Sequence, residues 1–344
     1  MDSQRQTEAS GLGEAARQPG ASDSTSSPGS KLPAGISVVV PVYKSAATLG
    51  ELIRRIRGAM DATGRPFEAV LVNDGSGDDS WPVIEQLCRA NAWVRGVDLM
   101  RNSGQENALL CGIRAARYEL IATIDDDLQN PPEEIAALAA KLADGGYDVV
   151  YGTPQREQHG VWRDAASVMT KLAMRHLMGV RHARDVTAFK VFRTELRDAF
   201  AHYRNPYVSI DLLLTWGTDR FGALTVRHDA RAVGGSTFTL RKLVRHAITL
   251  ITGFSVVPLR LASLIGFAFS LLGLGVLVYV VAEVLLRGSP VPGFPFLAAI
   301  IAIFSGAQML ALGIIGEYLA RVHMHSLGRE PYAVRREAGM DESR

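Results

Sequence analysis

The stretch IATIDDDLQNPPEE, residues 121–134, runs from four largely apolar residues directly into three consecutive carboxylates. The apolar residues predict the end of a buried strand, where Asp125, Asp126 and Asp127 would repel one another unless a cation or solvent neutralises them. Asp and Gln oxygens at alternate positions, ending at Gln129, can converge on a hard divalent cation. A cation with open coordination positions would next bind phosphate oxygens. The stretch therefore predicts a metal held by carboxylates and a diphosphate held by the metal.

Apolar runs alternate with amphipathic runs from about residue 35 to residue 153. Between the apolar runs, the apolar residues recur at helical spacing. Strand and helix in alternation predict an α/β fold with a mostly parallel sheet covered on both faces. The predicted strands are ISVVV (36–40), FEAVLV (67–72), VRGVDL (94–99), LIATI (120–124) and DVVYG (148–152).

A polar motif follows each of the first four predicted strands. The carboxyl ends of parallel strands meet at one edge of the sheet, and ligands bind at that edge. Taken singly, a motif such as NDGS is more often a turn than a site, because Asp, Asn, Gly and Ser also cap helices and make turns. The carboxylate repulsion in the DDD cluster favours a ligand site instead. The four motifs are PVYKS (41–45), NDGSGDDS (73–80), RNSGQEN (101–107) and DDDLQ (125–129).

Two segments near the carboxyl terminus, Leu261–Ala282 and Phe294–Ile315, carry no charged residue. Each would reach about 33 Å as a helix, which is enough to span a bilayer. We expect transmembrane helices over residues 259–286 and 293–317. The alternative is a pair of buried helices in a soluble protein, which the lack of charge over such lengths disfavours.

The link EVLLRGSPVPGFP between the predicted spans is short, so the spans form a hairpin with both flanks on one side of the membrane. Basic residues concentrate on those flanks, and the positive-inside rule then places the preceding domain and the tail 318–344 in the cytosol. We therefore expect a multi-pass protein of the inner or plasma membrane. Residues 241–258 are basic and amphipathic, which suits an interfacial helix, with an ordinary packed helix as the alternative. The flanking basic residues are Arg241, Lys242, Arg245 and Arg260 before the hairpin and Arg321, Arg329, Arg335 and Arg336 after it.

Composition describes the rest of the chain. Residues 1–34 are rich in Ser, Gly, Ala and Gln without apolar periodicity, which predicts a disordered tail with no signal peptide. Cys88 and Cys111 fall in apparently helical segments without metal-ligand spacing, so reduced structural thiols in a cytosolic compartment are expected. A net charge of +2 selects no partner, and we expect no nucleic-acid partner.

The motif DDDLQNPPEE and the carboxyl-terminal hairpin together resemble glycosyltransferase family 2, which has the nucleotide-binding GT-A fold. More narrowly, the chain is similar to the polyprenyl-phosphate glycosyltransferases, whose corresponding motif is DADLQNPPEE. That group includes dolichyl-phosphate mannose synthases, undecaprenyl-phosphate glucosyltransferases and aminoarabinose-type transferases. The similarity runs from Ile36 to about Tyr332 and implies a cytosolic GT-A domain over residues 35–240.

The resemblance also implies three sets of site residues, in which the metal is Mg²⁺ or Mn²⁺. Catalysis would depend on two of the carboxylates and two arginines drawn from these sets. The implied residues are Pro41, Tyr43, Asp74, Asp125 and Asp126 for the nucleotide sugar, Asp127 and Gln129 for the metal, Arg163 and Arg231 for the acceptor phosphate, and Asp127, Asp125, Arg163 and Arg231 for catalysis.

The sequence departs from the family pattern at four places. Lys44 and Ser45 stand where the family often has Asn-Glu, and Asn73 stands where an acid is common. Pro154 occupies the place of an arginine in some members, and Thr237 replaces the lysine of the usual GESKY stretch. These changes affect the expected identity of the donor and the expected binding of the acceptor phosphate, and they leave the expected fold unchanged.

The reaction implied by the resemblance moves one sugar from a UDP- or GDP-linked donor to a polyprenyl phosphate, with inversion at the anomeric carbon. The acceptor would be undecaprenyl, decaprenyl or dolichyl phosphate, and the product would be a lipid-linked sugar donor for envelope glycans or protein glycosylation. A phosphate monoester has its second pKa near 6 and arrives ionised at neutral pH, so the transfer needs no general base. The resemblance also implies a homo-oligomer, in the form of a tetramer.

Three other kinds of protein fit the sequence less well. A processive polysaccharide synthase carries a (Q/R)xxRW motif and more transmembrane helices, and that motif is not found in this sequence. A binding protein that had lost catalysis would be expected to lose the Asp125 and Asp127 carboxylates. A soluble nucleotide-sugar enzyme would not carry the two apolar segments.

Overall fold

The structure is a computed structural model that describes residues 32–154, 185–205, 208–229, 257–287 and 293–339. Within these ranges, eight strands form one sheet in the order β7-β5-β6-β4-β1-β2-β3-β8. The strands are β1 (Ile36–Val42), β2 (Phe67–Asn73), β3 (Val94–Leu99), β4 (Leu120–Thr123), β5 (Val149–Pro154), β6 (Lys190–Arg193), β7 (Phe221–Val226) and β8 (Val334–Ala338).

The helices occupy the segments between the strands and the region before β8. There are also two short 3₁₀ helices in the described residues. Pro132–Glu134 directly precedes the helix Ile135–Asp144, and Thr194–Phe200 directly follows β6. The α-helices in the described residues are α1 (Ala46–Asp61), α2 (Ser80–Ala90), α3 (Gln105–Ala115), α4 (Ile135–Asp144), α5 (Ile210–Leu214), α6 (Val257–Arg287) and α7 (Phe294–Ser326).

Parallel pairing of β1 with β2 and β4, and of β2 with β3, forms the centre of the sheet. β6 runs antiparallel between β4 and β5. Side chains alternate between the two faces of a strand, so Val38 and Val40 belong to one buried core and Val39 to the other. The first core is completed by α1, α2 and α4, and the second by α3 and α5. Both faces are covered, which confirms the predicted α/β fold.

All five predicted strands are present, with ends that differ from the prediction by no more than a few residues. The strands β6, β7 and β8 were not predicted from the sequence. β6 and β7 lie beyond the region of clear alternation, and β8 lies in the segment treated as a tail. β8 has the sequence VRREA, whose charged residues give no apolar signal because it is an exposed edge strand.

β8 pairs antiparallel with β3 and so attaches residues 334–338 to the edge of the sheet. Arg336 donates from Nε to Asp98 Oδ2 at 3.0 Å, and its guanidinium lies 4.8 Å from the centre of the Trp81 ring. Asp98 is buried and also accepts a hydrogen bond from Asn73 Nδ2 at 2.7 Å. An acid at position 73 would face Asp98, so this pair accounts for the asparagine at that departure from the family pattern.

The two carboxyl-terminal helices α6 and α7 are 31 and 33 residues long. By length and composition, Ala262–Glu283 and Ile303–Ala320 could each cross a membrane. Phe269 and Phe304 pack edge to face with ring centres 5.7 Å apart, so the two helices contact each other. Many other large apolar side chains on these helices are exposed, Phe267, Leu274 and Met309 each by more than half.

Several predictions fall on residues that the structure does not describe. The predicted disordered tail lies outside the described residues up to position 31, and so does the interfacial segment 241–258 up to position 256. Cys88 and Cys111 lie in α2 and α3, and both are buried free thiols, as predicted.

Gly75, the third residue of the motif NDGSGDDS that follows β2, has a φ of +60°. A Cβ there would lie 2.4 Å from main-chain atoms of Arg101 and Asn102, because the loops after β2 and β3 touch at this point. We expect Gly75→Ala to lower the free energy of unfolding by about 1–3 kcal/mol. Gly58→Ala is the matched control, since a Cβ on this exposed residue of α1 meets nothing within 4 Å. Thermal unfolding of the two variants checks this, and equal stability of both would contradict the assigned contact.

Candidate active site

The carboxyl ends of β1, β2 and β4 bring three predicted site residues together. Because β1 and β2 pair in parallel register up to Val42 and Asn73, the residues that follow them are neighbours. The amide of Asp74 donates to the Val42 carbonyl at 2.8 Å, and the amide of Tyr43 donates to Asp126 Oδ2 at 3.0 Å. The predicted convergence of the strand-end motifs is therefore present for Tyr43, Asp74 and Asp126.

Asp74 is buried and organises the loop between β3 and α3. Its two carboxylate oxygens accept hydrogen bonds from the amides of Ser103 at 2.6 Å and Gly104 at 2.9 Å. Burial raises the pKa of Asp74, and these two hydrogen bonds partly oppose that effect. Each carboxylate oxygen has a second lone pair, so Asp74 can accept a further hydrogen bond from a ligand.

Asp126 is attached to the loop between β1 and α1. Besides the bond from Tyr43 to its carboxylate, its carbonyl accepts a hydrogen bond from Thr48 Oγ1 at 2.7 Å. Burial raises the pKa of Asp126, and a hydrogen bond from the Ser45 side chain lowers it. Part of the hydrogen-bonding capacity of this carboxylate is therefore used by groups of the protein itself.

Asp125 faces the amino end of α3. Its Oδ1 accepts a hydrogen bond from Gln105 Nε2 at 2.8 Å. Burial, together with the charges of Asp127 and Asp126, raises the pKa of Asp125 to about 7. A cation beside these three carboxylates would lower that pKa and relieve their repulsion.

The backbone turns sharply between Asp127 and Gln129. Leu128 has a φ of +63°, a left-handed conformation that is rare for a residue with a branched side chain, and its side chain is buried. Asp127 Oδ1 accepts a hydrogen bond from the Gln129 amide at 3.1 Å, and the Gln129 carbonyl accepts one from the Asp229 amide at 2.8 Å. Strain of this kind is characteristic of ligand-binding segments.

The donor set fits a divalent cation that is shared with a phosphate ligand. In the part of the chain that the structure describes, no three His, Cys, Asp or Glu side chains form a complete metal site. Mg²⁺ ordinarily keeps only one or two carboxylate ligands and completes its shell with water and substrate phosphates. One carboxylate at Asp127 and one amide oxygen at Gln129 match that requirement. The negative charge of Asp126 and Asp127, which adds to burial in raising the pKa of Asp125, also fits a cation here.

Lys44 also has a left-handed backbone, with a φ of +56°. Its amide donates to Ser76 Oγ at 3.0 Å, and its ammonium lies 5.3 Å from the centre of the half-exposed Tyr43 ring. Both side chains are exposed at the strand-end edge. Of the other predicted positions, Pro41 is buried at the end of β1, whereas Arg163, Arg231 and Thr237 lie outside the described residues.

A polar cluster near Asp125 was not predicted from the sequence. Lys190 is almost wholly buried and forms an ion pair with Asp211, which also accepts a hydrogen bond from the Tyr151 hydroxyl at 3.1 Å. Glu106 Oε2 accepts a hydrogen bond from the Ile210 amide at 2.8 Å. A single lysine inside the apolar run AFKVF was the available signal, because an unpaired lysine is rarely buried.

Comparison with known proteins relates this chain to a known family. The family model described as "Glycosyl transferase family 2" matches residues 37–203. An undecaprenyl-phosphate 4-deoxy-4-formamido-L-arabinose transferase of Klebsiella pneumoniae is 34% identical over 304 residues, which cover 88% of this chain and 93% of the relative. The enzyme of the same name from Pseudomonas savastanoi is 35% identical over 291 residues, covering 84% of this chain and 86% of the relative.

Among solved structures, glucosyl-3-phosphoglycerate synthase from Mycobacterium tuberculosis, in complex with Mn²⁺, uridine diphosphate and glucosyl-3-phosphoglycerate, matches with a TM-score of 0.48. It is 16% identical, and the match covers 64% of this chain and 78% of that one. The two transferase relatives carry the assignment, because they are above 30% identity over most of both chains. The chain therefore belongs to glycosyltransferase family 2, is a glycosyltransferase with a GT-A-like fold, and falls in the polyprenyl-phosphate group of that family.

Proposed function

We propose that the protein transfers one sugar from a nucleotide diphosphate sugar to a polyprenyl phosphate at the cytosolic face of a membrane. The observation that carries the proposal is the extent of the similarity to undecaprenyl-phosphate sugar transferases. At 88% of the chain, the alignment with the Klebsiella relative is too long to be confined to the strand-end site, and it must include at least part of the two long apolar helices. The proposed product is a lipid-linked sugar for envelope glycans or protein glycosylation.

The nucleotide sugar is proposed to bind along the edge formed by β1, β2 and β4. Tyr43 offers an exposed ring at the end of β1, and Asp74 offers a buried carboxylate at the end of the neighbouring strand β2, a pair of groups that suits a base and a ribose. Pro41 precedes Tyr43 on the same strand end, and Asp125 and Asp126 lie beside it. UDP and GDP are both compatible with these groups.

A divalent cation, Mg²⁺ or Mn²⁺, is proposed to bind at Asp127 and Gln129. When bound, it neutralises charge on the diphosphate of the donor and so makes the nucleoside diphosphate a better leaving group. Asp127 and Gln129 are already held in a fixed turn by the left-handed Leu128, which limits the reorganisation needed on binding.

The acceptor phosphate is proposed to attack the anomeric carbon directly. One phosphate oxygen forms the new bond as the bond from that carbon to the diphosphate oxygen breaks, and the electron pair leaves with the nucleoside diphosphate. Attack from the opposite face inverts the anomeric carbon. A phosphate monoester is largely dianionic at neutral pH, so no proton has to be removed. Arg163 and Arg231 are proposed to bind this phosphate and to offset its charge.

The helices α6 and α7 are proposed to span the membrane as a hairpin. Their exposed apolar side chains, together with the basic residues at the flanks, fit a domain held at the cytosolic surface where a lipid phosphate is available. The protein is also proposed to assemble into a homotetramer.

A donor screen tests the proposed function. Membranes containing the protein are incubated with undecaprenyl or decaprenyl phosphate and, in turn, with each labelled UDP- or GDP-sugar. We expect one donor to give a labelled, organic-soluble lipid that releases its sugar on mild acid treatment. Absence of labelled lipid with every donor and both acceptors would refute the proposal.

The division between donor and acceptor residues gives a second expectation. Asp74→Ala should weaken binding of the nucleoside diphosphate by roughly tenfold to a hundredfold, since a hydrogen bond to a charged group contributes about 1.5–3 kcal/mol. Arg231→Ala should instead raise the KM for polyprenyl phosphate by a similar factor and leave nucleotide binding nearly unchanged. Calorimetry and acceptor kinetics on both variants measure the two effects. Equal losses of nucleotide affinity would show that the proposed division is wrong.

The proposed topology gives a third expectation. A cysteine introduced at Pro290, between the two helices, should react with an impermeant thiol reagent added from outside intact cells. A reporter fused after Arg344 should be active only if it is of a kind that works in the cytosol. Protection of position 290 together with an externally active reporter would reverse the proposed orientation.

A further inference from the structure

The buried cluster around Lys190 has no part in the chemistry described above. Lys190 lies on β6, between Thr123 of β4 and Tyr151 of β5 in the register of the sheet. Its side chain is only 2% exposed and its ammonium is paired with Asp211. Tyr151 donates to the same carboxylate oxygen of Asp211, and its ring centre lies 5.6 Å from the Lys190 ammonium.

A series of contacts leads from this ion pair back to Asp125. Asp211 follows Ile210, whose amide donates to Glu106 of α3 at 2.8 Å. Glu106 follows Gln105, whose side-chain amide donates to Asp125 at 2.8 Å. Lys190 is itself opposite Thr123, two residues before Asp125. The contacts therefore form a closed ring that includes β4, β6, α5 and the amino end of α3.

Stability alone gives little reason for such an ion pair. A buried charge pair is often no more stabilising than apolar side chains of similar volume, because both charges lose their hydration. Lys190 also lies opposite Thr123, two residues before Asp125 in the chain. The position of the lysine at the edge of the proposed donor site is thus its distinguishing feature.

We propose that Lys190 is a positioning residue, which through Asp211, Glu106 and Gln105 holds the Asp125 carboxylate in place for the sugar of the donor. The proposal rests on the proposed function for the identity of the ligand. Lys190 itself is buried, so it acts through the groups it orders and makes no contact with the donor. Loss of the pair should therefore impair the use of the nucleotide sugar more than the binding of the nucleoside diphosphate.

The test compares variants that separate charge from stability. Lys190→Met removes the cation that pairs with Asp211, whose side chain is only 15% exposed, and is expected to destabilise the fold. The double variant Lys190→Met with Asp211→Asn removes both charges and retains an acceptor for Tyr151. We expect it to remain folded in thermal unfolding, while kcat/KM for the nucleotide sugar falls at least about tenfold. With Mn²⁺ present, its affinity for whichever of UDP and GDP the unmodified protein binds should stay within about threefold of that of the unmodified protein. The single variant Lys190→Arg keeps a cation beside Asp211 and should retain most of the rate of the unmodified protein.

Two further variants isolate the path of the effect. Gln105→Leu removes the last contact to Asp125 from an exposed side chain, so it should lower the rate without lowering the melting temperature. The matched control is Arg95→Met with Glu68→Gln, which removes another buried pair, with its atoms 2.7 Å apart, near the amino ends of β3 and β2. This control should leave the kinetic constants of the folded protein unchanged.

The outcomes distinguish this inference from the proposed function. No sugar transfer by the unmodified protein would refute the proposed function, whereas a double variant as active as the unmodified protein would overturn the role of Lys190. A readout independent of activity is the crystal structure of the double variant, in which Gln105 and Asp125 should move out of hydrogen-bonding distance. Unchanged geometry, or an equal kinetic loss in the Arg95 control, would also overturn the inference.

Discussion

Carboxylate repulsion at the carboxyl edge of the sheet is the constraint on which the site depends. Parallel pairing of β4 with β1 and of β1 with β2 brings Asp125, Asp126 and Asp127 into the same region as Asp74. Such crowding is costly unless each charge has a partner. The structure satisfies part of this requirement within the protein, and the proposed metal and diphosphate would satisfy the rest.

The carboxylates differ in the partners they use. Asp74 accepts two main-chain amides from the loop before α3, and Asp126 accepts the Tyr43 amide and so holds the loop after β1. These bonds make the loops rigid, which lowers the cost of organising them around a ligand. Asp125 accepts a hydrogen bond from the side-chain amide of Gln105, and its pKa is raised to about 7. A nearby positive charge would therefore stabilise its ionised form. Lys190 supplies part of that charge from within the sheet, in the role proposed above.

Periodicity predicted the five strands from residue 36 to about residue 154, because buried parallel strands read as continuous apolar runs. It failed for β8, whose side chains are charged and exposed, and for β6, where Lys190 interrupts a short apolar run. The strand-end rule predicted that Tyr43, Asp74 and Asp125–Asp127 converge, since parallel register follows from the fold class. It could not give the different hydrogen-bond partners of these carboxylates, because Gln105, Ser103 and Gly104 reach them only through the tertiary position of α3.

The central claim is that a divalent cation and a nucleoside diphosphate together neutralise the strand-end carboxylates. Calorimetric titration of the full-length protein with UDP and with GDP, each in the presence of Mn²⁺ and again in EDTA, tests it most directly. We predict that one of the two nucleotides binds with the metal and loses at least about tenfold in affinity in EDTA, and that Asp127→Asn abolishes this difference. Equal nucleotide affinity with and without the metal would contradict the account.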